Sequence, residues 1–127
     1  MSFDWNKYVV LADELRQPGG AAGVESRLRT SVSRAYYGLF HLTRTRLEKE
    51  GVRFEAKFDI HQQVVKSLRT SGDSNRKMLG VAMGRLRMCR NEADYDSDVL
   101  NIADLDSRAL LLRTSISRWM KALGWVS

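Results

Sequence analysis

Apolar residues recur every three or four positions over five segments of this chain, and no segment shows convincing strand-like alternation. The longest segment constrains the fold most. In it Leu28, Val32, Ala35, Leu39 and Leu42 form one stripe, and Tyr36, Phe40, Thr43 and Leu47 form a second beside it. Two adjacent stripes make an apolar face wide enough to need covering from several directions. Residues 25–49, stopped by Gly51, are therefore expected as a central helix. Tyr36 and Phe40 lie on its core side and are read as packing residues rather than as base-stacking ones.

The remaining segments are read the same way. Trp5, Tyr8, Val9, Ala12 and Leu15 predict a helix over residues 3–16, with Ser2 or Asp4 as its cap. "QPGGAAGV" is a loop. Asp59 is the expected N-cap of a third helix bearing His61, Val64, Val65 and Leu68. Residues 75–95 predict a fourth, with Leu79, Ala82, Met83, Leu86 and Ala93 inward. Residues 104–123 predict a fifth, stopped by Gly124. Gly80 and Gly84 each cost the fourth helix about 1 kcal/mol relative to alanine. Close approach of another helix or of a ligand is the expected compensation. The fold expected is all-α: one domain over residues 1–127, an antiparallel bundle of about five helices.

A single cysteine, Cys89, rules out an intrachain disulfide and a cysteine-based zinc site; it is expected as a buried, inert thiol. No carboxylate spacing suggests a metal site, and no cofactor is expected. The first residues lack the basic and apolar regions of a signal peptide, and no apolar run is long enough for a membrane span. A cytoplasmic protein is the expectation. Charge is unevenly placed. Residues 27–90 carry 15 Lys or Arg against 5 Asp or Glu, whereas residues 91–107 carry 6 acids and no base. The basic half suits phosphate-bearing partners, because arginine contacts phosphate in a bidentate fork. The acidic run is expected as a solvated face or a partner surface.

Three blocks, "SRAYYGLFHLTRTRLEKEG", "HQQVVKSLR" and "RNEADYD", resemble the HEPN superfamily in order and spacing, over roughly residues 25–100. The resemblance is to its small stand-alone prokaryotic members. It implies a helical bundle that usually forms a homodimer. Many members are metal-independent ribonucleases with an Arg followed four to six residues later by a His at a dimer cleft. Some are toxins beside a nucleotidyltransferase antitoxin. Others lack the His and bind RNA or nucleotides without cutting. Arg90 and Asn91 match the start of the motif, but Tyr95 stands where the family has its His, and no His follows His61.

That departure matters chemically. Cleaving RNA without a metal needs proton transfer at the 2′-oxygen and at the leaving 5′-oxygen, and stabilisation of the charged phosphorane between them. Histidine exchanges protons near neutrality. Arginine stabilises charge but is a poor proton donor. Tyrosine, with an ordinary pKa of about 10, needs substantial tuning. The expectation is an RNA- or nucleotide-binding protein without efficient catalysis. The alternatives are a ribonuclease, acting as a toxin or otherwise, in which Tyr95 or His41 replaces the missing His beside Arg90, and an interaction module docking a nucleotidyltransferase. Arg34, Tyr37, Arg44, Arg87, Arg90 and Asn91 are the binding candidates. Arg34, Tyr37, His41 and Arg44 share one face of the second helix, and Asp94 is placed to pair with Arg90 four residues away. His61, at a helix start beside Val64 and Val65, is expected to be structural, bonded to backbone or a carboxylate.

Overall fold

A computed structural model describes residues 3–20 and 23–126. Among the described residues there are five helices and no strand: α1 (Asn6–Leu15), α2 (Val24–Lys49), α3 (Ile60–Arg69), α4 (Ser74–Tyr95) and α5 (Ile102–Ala122). The all-α bundle expected from periodicity is the fold observed. Boundaries differ by one to three residues from expectation. Asp4 accepts from the Asn6 amide at 3.0 Å, so α1 begins only after it. The Asn101 side chain accepts from the Asp104 amide, which starts α5 two residues early. Asp59 caps α3 as expected, accepting from Gln62 N. Ser2, the other cap candidate for α1, lies outside the described residues.

Helix α2 packs against each of the other four helices. Both of its stripes are covered: Val32, Ala35, Tyr36, Leu39, Phe40, Thr43 and Leu47 are buried. Val64 and Leu68 of α3, Leu79, Met83 and Leu86 of α4, and Leu105 and Ile116 of α5 complete one core. Burial of large side chains of this kind stabilises by about 1.5–3 kcal/mol each. The Ser31 hydroxyl donates to the Ala12 carbonyl at 2.7 Å and ties α1 to α2.

Two glycines permit close helix crossings. A Cβ on Gly80 would come within 2.9 Å of Leu68 Cβ and 3.1 Å of Arg69 N, at the end of α3. A Cβ on Gly38 would meet Val9 at 2.9 Å and the Trp5 carbonyl at 3.0 Å. Gly84 is different, with only Val65 at 3.7 Å. The close approach expected at Gly80 is thus between helices of one chain, and it gives no reason to invoke a second copy.

The acidic run is only partly a solvated face. Asp106 is buried and takes a bidentate bond from Arg16 at 3.0–3.2 Å. Glu92 and Asp104 both pair with Arg108. These pairs hold the acidic segment onto its own bundle.

Gly80→Ala is expected to destabilise the fold by about 1–3 kcal/mol, because backbone of α3 must shift. Gly84→Ala is expected to be neutral or to stabilise by up to about 1 kcal/mol, through helix propensity. Urea denaturation of the two variants checks the contrast; equal effects would contradict the packing described.

Candidate nucleic-acid interface

Arg90 lies on the buried side of α4 and is 5% exposed. Its guanidinium carbon stands 5.4 Å from the Tyr36 ring centre, 5.1 Å from that of Tyr37 and 5.9 Å from that of Tyr95. Two of these rings come from α2 and the third from the last residue of α4. Among the described residues Asp94, one turn along, is its only carboxylate partner, at 3.9 Å. Its Nε is buried without a hydrogen-bond partner. The expected i,i+4 pair therefore exists, but it is long and leaves guanidinium donors unused. The aromatic faces supply part of the missing stabilisation, on the order of 0.5–2 kcal/mol for each well-placed ring.

Asp94 links this interior to the surface. Its Oδ2 accepts from the Ser33 hydroxyl at 3.2 Å, and Ser33 Oγ accepts from Arg34 Nη2 at 3.3 Å. Arg34 itself lies over the rings of Tyr8 (5.0 Å) and Tyr37 (5.4 Å). Beside this chain runs an open groove of about 370 Å³ between α2 and the end of α4, lined by Ser26, Arg29, Thr30, Ser33, Arg34, Ala93 and Asp94. Arg29 is engaged: it donates to the carbonyls of Ala93 and Asp96, where the carbonyls at the end of α4 need donors. Among the described residues lining the groove, Arg34 is the cation not tied to the end of α4; it donates only to the Ser33 hydroxyl. Ser33 and Arg29 were not among the sequence candidates. Their signal was the spacing 29, 33, 37, which continues the Tyr37 face one and two turns towards the start of α2.

The histidine beside Arg90 is His61, from the start of α3. Its Nδ1 is 2.7 Å from the Tyr36 hydroxyl, and its ring stacks on Phe40 at 4.0 Å. Burial, with Arg87 and Arg90 adding to it, pushes its pKa down to about 4. Burial also raises that of the Tyr36 hydroxyl. His61 is thus a neutral hydrogen-bonding group at pH 7. Its partner is a tyrosine rather than the backbone or carboxylate expected.

His41 faces α1 instead. It stacks flat on Trp5 at 3.8 Å, and burial, helped by Arg44, lowers its pKa. Tyr37 stands between the two, 6.5 Å from the His41 ring and 5.1 Å from the Arg90 guanidinium carbon. The other candidates scatter. Arg87 donates to Asp59 at 2.7 Å and secures the N-cap of α3. Arg44 pairs with Glu48 at 3.5 Å, and Asn91 is exposed. Tyr95 is 72% exposed, at the rim of the site. Cys89 is buried, and burial raises its pKa, which suits an unreactive thiol.

Among the described residues no three His, Cys, Asp or Glu side chains gather as metal ligands would, and no helix is long and apolar enough to cross a membrane. No family model matches the chain, and neither does any curated protein or solved structure.

The lowered pKa of His61 has a stability consequence. The unfolded chain binds the His61 proton below its ordinary pKa of about 6.5, whereas the folded chain resists it until about 4. The stabilising contribution is therefore full above pH 6.5, falls as pH drops from 6.5 to 4, and is absent below. With partial solvent access it amounts to roughly 1–2 kcal/mol. Urea denaturation at pH 4–7 should show this slope, shallower in His61→Gln, with His41 left as the common background. An unchanged slope in the variant would contradict the assignment.

Proposed function

We infer that the chain is a HEPN-like protein that binds RNA or a nucleotide at the α2–α4 groove, without efficient cleavage. One observation carries this reading: a nearly buried guanidinium, Arg90, with an unpartnered Nε and one distant carboxylate, under tyrosines that lead out to Arg34 and an open groove. A phosphate in that groove meets Arg34 and the Ser26 hydroxyl directly, while the Thr30 and Ser33 hydroxyls already donate to the Ser26 carbonyl and to Asp94. Arg90 lies behind the groove lining and is coupled to it through Asp94 and Ser33. The exposed ring of Tyr95 offers a stacking surface at the rim.

The same geometry weighs against efficient cleavage. Proton transfer needs a group that titrates near neutrality and reaches the substrate. His61 is held near 4 by its surroundings and has Nδ1 engaged with Tyr36. His41 is stacked under Trp5. Tyr95 has the exposure, but it stands at the rim of the site and offers a ring rather than an imidazole. The motif resemblance supports the substrate class, and the substitution of its His supports binding over turnover. Self-association fits this reading as well. Met88 and Leu111 stand exposed beside an apolar groove of about 360 Å³ between α4 and α5, a face that a second copy would cover.

Arg34→Ala is expected to weaken binding of a short single-stranded RNA about tenfold while leaving the unfolding midpoint nearly unchanged. Fluorescence anisotropy and urea denaturation check the two halves. RNA incubated with the wild type in EDTA is expected to stay intact. EDTA-resistant cleavage that disappears in Arg90→Ala would replace this reading with the ribonuclease one. RNA affinity equal in wild type and Arg34→Ala would remove the groove from it.

A further inference from the structure

Three aromatic side chains meet at the opposite end of α2 around a space that they do not fill. Phe3 and Trp5 arrive from the segment before and into α1, and Trp125 from beyond the end of α5. Leu42, Thr45, Arg46 and Lys49, from the last turns of α2, form the floor and one wall. Asp4 completes the rim. The cleft measures about 430 Å³, within the range of small-ligand sites. Rings that merely sealed the core would close against one another. Here Phe3 remains 50% exposed, and two of the chain's three tryptophans line an open cleft.

The rings are rigidly placed. Trp5 is fixed from behind by His41, stacked at 3.8 Å, and Phe3 meets Trp5 edge-on at 4.9 Å. Trp125 is held by its amide bond to the Met120 carbonyl at 2.9 Å and by the guanidinium of Arg76 at 5.4 Å. Arg76 is in turn locked to Glu50 at 2.7 Å. The cations at the cleft are in a different state. Arg46 lies over the edge of the cleft 6.0 Å from the Trp125 ring centre and reaches Glu50 only at 3.6 Å, a carboxylate already shared with Arg76. Lys49 has no carboxylate within ion-pair distance among the described residues. The Asp4 carboxylate accepts from Asn6 N through Oδ1 at 3.0 Å, and no donor among the described residues is bonded to Oδ2.

Aromatic faces, two available cations and one acceptor at the rim suit a planar, hydrogen-bond-donating ring joined to an anionic group. A nucleotide has that chemistry: its base stacks on an aromatic platform, typically for about 1–3 kcal/mol, and its phosphate takes arginine and lysine. We propose that the cleft formed by Phe3, Trp5, Trp125, Arg46 and Lys49 is a nucleotide-binding site separate from the α2–α4 groove. The base stacks against the tryptophans with its amino group towards Asp4, and the phosphate lies between Arg46 and Lys49. The ligand is either a free mononucleotide or one unit of an RNA strand. The site does not depend on the Arg90 reading, since it shares no residue with that groove.

Trp5 and Trp125 are built-in reporters. The intact protein is titrated with AMP and, separately, with a six-residue oligo(A), following tryptophan fluorescence. Saturable quenching is expected with at least one probe. Affinity is expected to fall at least tenfold in the surface double variant Arg46→Glu/Lys49→Glu and in Trp125→Leu, and to be kept in Lys66→Glu/Lys77→Glu, an equal charge reversal at exposed lysines outside both clefts. The Arg46→Glu/Lys49→Glu variant changes only side chains at the surface, so its result stands even if Trp125→Leu unfolds. Comparable affinity for both probes assigns a mononucleotide site, and preference for oligo(A) assigns a strand subsite. No quenching by either probe up to millimolar concentration would overturn the proposal. So would quenching that survives the Arg46→Glu/Lys49→Glu variant or is lost equally in Lys66→Glu/Lys77→Glu.

Discussion

A guanidinium held inside a helical bundle must be stabilised where it lies, since an uncompensated buried charge costs several kcal/mol. Around Arg90 the stabilisation comes mainly from aromatic faces, with Asp94 at a distance of 3.9 Å. Much else follows from that arrangement. Tyr36 has to point into the α2–α4 crossing, which brings its hydroxyl to His61 and fixes the start of α3. Tyr37 has to stand beside it, which sets one wall on which Arg34 rests. Asp94 has to stay near the surface to reach both Ser33 and Arg90. A single cation thus couples α2, α3 and α4 and leaves its own hydrogen-bonding capacity incompletely used.

The electrostatics of the cluster separate binding from turnover. Arg87 and Arg90 lie close enough to His61 to discourage its protonation, adding to the effect of burial. The cations that favour an anion in the groove also keep the nearby imidazole neutral. A neutral imidazole already bonded through Nδ1 orients a tyrosine well but is a weak proton carrier at pH 7. The two tasks place opposite demands on one small site, and under the function proposed above the residues present serve the first.

The bundle was legible because its helices carry strong periodicity and conventional stops. Both stripes of α2, the Asp59 cap and the end of α5 before Gly124 could be read from residue spacing alone. Gly80 marked a close crossing, yet spacing could not tell an intrachain partner from an intermolecular one, because that depends on where α3 ends. The site was half legible. Arg90, Tyr37 and Arg34 come together as the motif blocks suggested. His41 shares their stripe on α2, but helical periodicity does not say which neighbour covers each turn, and Trp5 covers that one. His61 was read as architectural from its apolar neighbours; its contact with Tyr36 spans 25 residues of sequence and leaves no local trace. The acidic run departs from a solvated face at Asp106 for the same reason. The partner of Asp106 is Arg16, 90 residues away.

The central claim is that the Arg90 guanidinium is buried, incompletely hydrogen-bonded and ready to receive an anion. Nitrogen-15 NMR of the arginine Nε–H groups tests it most directly, with Arg90→Lys used to assign the signal. In the free protein the Arg90 Nε–H should exchange slowly with water, as befits a buried donor. On titration with a short single-stranded RNA it should shift progressively and saturate together with the Arg34 signal. A rapidly exchanging Arg90 signal, or one that stays fixed while RNA binds, would contradict the account.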